Sequence, residues 1–158
     1  MKKAWGYILP TLLCFLAGGL VGWLQSDSIR EWYPTLVKPA LTPPDAAFPV
    51  AWGIIYLCMG VSAGLVASSG APSRRRVLIL WAVQLGFNIL WSILFFVRRS
   101  PLWGLLDIVI LDMSVVVYVA WSRKVRTGAA WLFVPYLCWI LFATYLNAWI
   151  LAANGPGI

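Results

Sequence analysis

Five apolar runs, each 20 to 26 residues long, fill about two thirds of the 158-residue chain: 4–24, 48–67, 77–97, 102–122 and 128–153. A helix needs ~20 mostly apolar residues to cross a ~30 Å hydrocarbon core, so each run has the length of one crossing. Backbone polar groups facing lipid must find partners within their own segment, which makes all five runs helices. Only 11% of the residues are charged and the mean hydropathy is +0.85. Soluble domains carry about 25% charged residues, so a water-soluble fold is excluded. The expected fold class is an all-α membrane protein, a single five-transmembrane-helix bundle over 1–158 with a long ordered loop at 25–47. Lys2-Lys3 before the first run resembles the start of a secretory signal. A signal core is only ~7–15 residues and no Ala-x-Ala site follows here, so this helix is expected to be retained.

Net charge is +7, and its placement matters more than its size. The basic residues cluster between apolar runs, at Arg74-Arg75-Arg76, Arg98-Arg99 and Arg123-Lys124-x-Arg126, where they anchor helix ends among headgroups. No basic face alternates with exposed aromatics on a polar domain, so nucleic acid is not an expected partner. The bilayer is. An odd number of spans puts the termini on opposite sides. The N-terminal side holds eight of the twelve Lys and Arg residues, which orients the N-terminus toward the cytoplasm.

The loop over 25–47 is too long for mere linkage. It combines Glu31-Trp32-Tyr33-Pro34 with Lys38-Pro39-Ala40-Leu41-Thr42-Pro43-Pro44, aromatic area with proline stiffness, whereas disordered tracts are poor in aromatics. It reads as an ordered lid. An interfacial anchor, with Trp32 and Tyr33 at headgroup level, is the alternative.

Of the eleven tryptophans, Trp32 belongs to the loop and the other ten divide into two groups. Trp5, Trp23, Trp81, Trp103, Trp121, Trp131 and Trp149 lie near run ends, where an indole favours the interface. Trp91 and Trp139 lie deeper, and Trp52 is one turn in from the lid. On the third run Trp81, Gln84, Asn88, Trp91 or Ser92, and Phe95 recur at three and four residues and share one stripe. Trp52 and Tyr56 on the second run, and Pro135, Trp139, Phe142-Ala143 and Leu146-Asn147 on the fifth, do likewise. Aromatics beside hydrogen-bonding groups on three helices suit a flat, largely apolar ligand with a few polar groups. Gln84, Asn88 and Asn147 also fit a second reading, as interhelical hydrogen-bonding glue.

Asp107 and Asp112 are the costly residues of the fourth run. Five residues apart, their side chains diverge by about 140° and cannot share a proton. Asp107 is within reach of Arg98 or Arg99. Asp112 suits an interhelical hydrogen bond better than a proton relay. Gly18-x-x-x-Gly22, Gly60-x-x-x-Gly64 and Ala82-x-x-x-Gly86 allow close helix approach inside the bundle, and at least one is expected to serve a homodimer. Cys14, Cys58 and Cys138 sit in separate apolar runs and read as small buried residues. The chain has no histidine and no metal-ligand spacing, so neither a metal site nor a bound cofactor is expected. A porphyrin in such a cavity has no histidine to ligate its metal and is recognised by stacking and polarity.

Together, Trp32-Tyr33-x-x-Leu36-x-Lys38-Pro39-x-x-x-Pro43-Pro44, Phe48-Pro49-x-x-Trp52-x-x-x-Tyr56, Gln84-Leu85-x-x-Asn88-x-x-Trp91-Ser92-x-x-Phe95-Phe96 and Val134-Pro135-Tyr136-Leu137-x-Trp139-x-x-Phe142-Ala143-Thr144-x-Leu146-Asn147 resemble the tryptophan-rich sensory protein family, also called the translocator protein or peripheral benzodiazepine receptor family. The resemblance covers essentially the whole chain. It implies a five-helix bundle whose first loop closes a pocket for tetrapyrroles, sterols and synthetic isoquinoline or benzodiazepine ligands, in the cytoplasmic membrane of a bacterium. The implied and stripe-derived ligand-binding set is Tyr33, Pro43, Phe48, Trp52, Tyr56, Gln84, Asn88, Trp91, Ser92, Trp139, Phe142, Ala143 and Asn147. The leading expectation is a receptor or sensor for porphyrins. The alternatives are light-dependent porphyrin breakdown, for which the resemblance implicates Trp52 and Trp139, and transport of tetrapyrroles or sterol-like molecules. Two departures stand out. Leu41 occupies a position where the family usually has tryptophan, and no Lys or Arg follows Tyr145 to complete the proposed sterol motif.

Overall fold

Apolar runs this long have one stable form in lipid, and the computed structural model, which describes residues 2–156, shows five helices and no strand among them. They are α1 (Lys2–Leu24), α2 (Ala47–Ala67), α3 (Arg74–Ser92), α4 (Pro101–Val125) and α5 (Thr127–Asn154). Each is long and apolar enough to cross a membrane. The helices extend past the apolar runs into the flanking charges. Arg74, Arg75 and Arg76 form the first turn of α3, and Arg123 and Lys124 the last turn of α4. Arg126 alone, in extended conformation, separates α4 from α5. At the start of α4, Ser100 accepts from Trp103 N and Pro101 fills the first turn, where a missing N–H costs nothing.

Around the bundle the order is α1, α2, α5, α4, α3, with α3 closing on α2 and α1. Thus α5 fits between α2 and α4. The outer surface is apolar and the interior holds the polar groups. Leu16, Val50, Ile79, Met113 and Leu141 face outward, while Ser62, Gln84, Asn88, Ser122 and Asn147 are buried. The interior hydrogen bonds cross between helices: Ser62 Oγ bonds Tyr118 Oη and donates to Ala129 O, and Thr144 Oγ1 donates to Asp112 Oδ2 at 2.7 Å. The last is the α4–α5 bond expected for Asp112. Asp107 differs from expectation. Its Oδ2 is buried without a hydrogen-bond partner, and Arg99 instead donates from Nε to Ser28 Oγ in the lid.

Glycines set the α1–α2 distance. A Cβ on Gly60 would run into the backbone Cα of Thr11, one on Gly64 into the ring of Tyr7, and one on Gly18 into the ring of Tyr56. The Gly60-x-x-x-Gly64 spacing therefore serves packing inside the bundle, whereas Gly86 has open space around it. Trp5, Trp23, Trp103, Trp121 and Trp131 are exposed, as an interfacial belt requires. Trp81 is not part of that belt. It is buried and donates from Nε1 to Met59 O, tying α3 to α2, because its place on the α3 stripe outweighs its nearness to the helix end. The cysteines are unpaired, and of the three expected to be buried only Cys14 is, Cys58 being half-buried and Cys138 exposed on the outer face of α5; among the described residues no His, Cys, Asp and Glu group is placed to hold a metal.

Candidate functional site: a lidded aromatic cavity

The loop after α1 folds into a π-helical turn (Ser28–Trp32) and a short 3-10 turn (Tyr33–Thr35), then reaches α2 through two hydrogen-bonded turns, at 39–42 and 44–47. It is ordered because its aromatics are buried against α3. Trp32 meets Phe95 at 5.6 Å and Tyr33 meets Phe96 at 5.6 Å between ring centroids. Lys38 donates to Tyr33 O and lies 4.6 Å over the Tyr33 ring. Midway along the loop the backbone is bracketed: Val37 N donates to Asn154 Oδ1 and Asn154 Nδ2 donates to Val37 O, both at 2.9 Å. The lid reading thus prevails over a loose interfacial anchor for Trp32 and Tyr33, which are both buried.

Beneath the lid lies a cavity of about 500 Å³ bounded by α1, α2, α3 and α5, within the ~300–1,000 Å³ range of small-molecule sites. One wall comes from α2 and α5. Trp52 stacks on Tyr56 at 5.4 Å, meets Trp139 edge-on at 6.5 Å, and Trp139 continues to Phe48 at 5.8 Å and Phe142 at 6.2 Å. The other comes from α3 and the lid, where Trp91 stacks on Phe95 at 5.8 Å and meets Phe96 edge-on at 5.9 Å. In a regular helix adjacent residues diverge by 100°. Here α3 ends in a π-helical turn, Ile93–Val97, closed by Arg98 N donating to Ile93 O. That widening lets the adjacent rings of Phe95 and Phe96 both line the cavity, and such turns are frequent at functional sites.

Polar groups are few and fixed. Asn147 joins three helices, its Oδ1 accepting from Trp91 Nε1 at 3.1 Å and its Nδ2 donating to Pro101 O at 2.7 Å. Gly104 makes room, since a Cβ there would lie 2.9 Å from Asn147 Oδ1. Asn147 is therefore both glue and cavity wall. Burial and the nearby Asp45 carboxylate push the Tyr33 phenol up to about 12, so it stays a neutral donor. Gln25 and Asp45 line the lid side, and the Gln25 Oε1 is buried without a partner. No lining residue carries a positive charge.

Of the residues singled out in the sequence, Tyr33, Phe48, Trp52, Tyr56, Trp91, Ser92, Trp139, Phe142, Ala143 and Asn147 line this cavity. Pro43, Gln84 and Asn88 do not. Pro43 is half-buried in the lid, while Gln84 and Asn88 are buried on the same α3 stripe, one to two turns farther from the lid. Gln84 Nε2 turns back to Trp81 O. Phe15, Gly18 and Gly22 of α1 and Phe96 of the π-helical turn also line the cavity. On α1 no strongly polar or aromatic stripe points to the cavity, although the small residues of Gly18-x-x-x-Gly22 mark the face toward α2 and the cavity. Phe96 follows Ser92 by four residues and so continues the α3 stripe, a signal that the sequence offers beside Phe95.

Known proteins share this pattern along nearly the whole chain. Residues 10–152 match the model of the TspO/MBR family. The tryptophan-rich protein TspO of Chlorobaculum tepidum is 40% identical over 153 residues, covering 93% of this chain and 97% of that protein. The chain belongs to the TspO/MBR family. Its resemblance extends across domains of life. The tryptophan-rich protein TspO of Archaeoglobus fulgidus is 37% identical over 93% of this chain and 96% of its own. The translocator protein of Homo sapiens is 33% identical over 91% and 85%. As a TspO/MBR family member this chain is a multi-pass membrane protein. Leu41, at the family's usual tryptophan position, is 68% exposed on the outside of the lid and contributes nothing to the cavity wall.

Proposed function

We propose that this chain is a membrane receptor or sensor that binds porphyrin-type tetrapyrroles and other flat apolar ligands in the lidded cavity. The observation that carries this reading is the pair of aromatic walls, Trp52–Trp139 and Trp91–Phe95–Phe96, under a lid pinned at Trp32 and Tyr33 and again at Val37. A lining without cations recognises the macrocycle, and leaves the carboxylates of a protoporphyrin to face outward, where Arg30, Arg98 and Arg99 belong to the lid end. The test is titration of the detergent-purified protein with protoporphyrin in the dark, following tryptophan quenching. Saturable quenching at about one ligand per chain is expected. Linear quenching identical to that of dissolved tryptophan analogue in the same detergent overturns the reading.

A second reading, light-dependent breakdown, is favoured by two oxidisable indoles in edge contact on the cavity wall. Under illumination of the bound complex with oxygen scavenged, Trp52→Phe and Trp139→Phe stop product formation while binding persists. Equal loss in wild type, variants and protein-free detergent marks a binder and no enzyme.

We also infer that the N-terminus is cytoplasmic, from the excess of basic residues on its side. Ser28 is buried and a poor labelling site, whereas Asp27 and Ser73 are exposed on opposite ends. In a cysteine-free background, an outside thiol reagent is expected to reach Asp27→Cys and miss Ser73→Cys. The reverse pattern inverts the topology.

A further inference from the structure

The five acidic residues all belong to the half of the bundle under the lid: Asp27, Glu31 and Asp45 in the loop, Asp107 and Asp112 in the first half of α4. The opposite end carries Arg74, Arg75, Arg76, Arg123, Lys124 and Arg126 with no carboxylate to neutralise them. Six cations without a protein counter-charge must draw anions from their surroundings. They are also not spread evenly. Where the start of α3 meets the end of α4, a cleft of about 200 Å³ is lined by Ser73, Arg76, Val77, Trp121 and Lys124.

We propose that this cleft holds the headgroup of an anionic phospholipid from the adjoining leaflet. The chemistry of the lining matches a phosphodiester: a guanidinium and an ammonium from two different helices, and a serine hydroxyl as a further donor. Trp121, 42% exposed, places the cleft at interfacial depth, where indoles sit beside headgroups. The surface leading away from it is built for acyl chains. On α4, Lys124, Trp121 and Val117 follow one another at three and four residues, and on α3 Arg76, Ile79 and Val83 do the same. Val117, Ile79 and Val83 are all exposed. Each helix thus presents a cation at the end and aliphatic side chains below it, a stripe that runs from headgroup to hydrocarbon. A free phosphate ion would use the cations and leave those apolar stripes without a role.

The experiment uses the full chain in neutral detergent, titrated with dioctanoyl phosphatidylglycerol or dioctanoyl phosphatidylcholine, with bound lipid counted by native mass spectrometry. Each surface cation contributes about fivefold to anionic-lipid affinity, so the pair gives about 25-fold preference for phosphatidylglycerol. Arg76→Gln with Lys124→Gln is expected to remove that preference, the charge-keeping exchange Arg76→Lys with Lys124→Arg to keep it, and each single glutamine variant to lose about fivefold. Arg30→Gln with Arg98→Gln, at the lid end, is expected to leave the preference intact. An unchanged preference in the Arg76/Lys124 variants, or an equal loss in the lid-end variant, overturns the site. Displacement of the lipid by low-millimolar inorganic phosphate overturns the lipid assignment in favour of a small anion.

Discussion

Gly60→Val is expected to lower the melting temperature of the detergent-solubilised protein by about 6–12 °C or to prevent its assembly. A side chain at Gly60 would meet the hydroxyl of Thr11 and also its backbone Cα. A flexible side chain in the way can rotate, but backbone can only retreat with its helix. The Thr11 hydroxyl is itself committed, donating to Tyr7 O at 2.8 Å. Relief therefore requires α1 to move off α2, opening the neighbouring contacts of Gly64 with Tyr7 and Gly18 with Tyr56. Overpacking a close contact costs typically ~1–3 kcal/mol, and the upper end applies here. For a chain of this size, ~3 kcal/mol corresponds to about 6–12 °C. The control is Gly6→Val in the same helix pair, because nothing lies within 4 Å of a Cβ at Gly6. Thermal unfolding followed by tryptophan fluorescence decides, and equal melting of the two variants would refute the close approach at Gly60.

Trp139→Ala and Trp52→Ala are each expected to weaken protoporphyrin binding by about 70-fold. An indole wall that covers ~100 Å² of ligand contributes about 2.5 kcal/mol at ~25 cal/mol per Å². Phenylalanine keeps most of that area, so the Phe variants should stay within about fivefold of wild type. The double alanine variant should fall short of the product of the two, since the indoles touch at 6.5 Å and share the same wall. Asn88 provides the contrast. It is buried on α3 but outside the cavity lining, so Asn88→Ala should leave affinity within about threefold. Its effect should appear instead in thermal stability. Wild-type affinity in both tryptophan-to-alanine variants would show that the ligand lies elsewhere.

The helical periodicity of α2, α3 and α5 makes most of the aromatic wall legible in the sequence. Trp52 and Tyr56, Trp91 and Ser92, and Trp139 with Ala143 lie on stripes that a regular helix keeps facing one way. The same rule places Gln84 and Asn88 on the right face of α3 yet cannot set their depth relative to the lid. Depth depends on how far the loop reaches down, and that follows from where Trp32 and Tyr33 find Phe95 and Phe96. For Trp81, nearness to a helix end and membership of the stripe give opposite answers, and the contact with Met59 O decides between them.

What the sequence determined by itself is the number of crossings, the helical state of each, the concentration of cations at one end and the family. Those depend on quantities local to a segment: apolar length against bilayer thickness, backbone satisfaction, charge beside a span. Only the tertiary structure decided that α5 inserts between α2 and α4, that α1 contributes Phe15, Gly18 and Gly22 to the cavity, and that Asn147 rather than Asn88 ties its wall together. In α1 no amide or charge marks the buried side; the face toward α2 carries only small or weakly polar groups, Tyr7, Thr11, Cys14 and Gly18, so shape more than polarity selects it. The smallness of Gly60 and Gly64 lets Thr11 and Tyr7 approach, and that fit turns Phe15 and Gly18 inward. The π-helical turn at Ile93–Val97 is likewise a tertiary outcome: packing of Phe95 and Phe96 under the lid compensates a backbone register that the local sequence alone does not require.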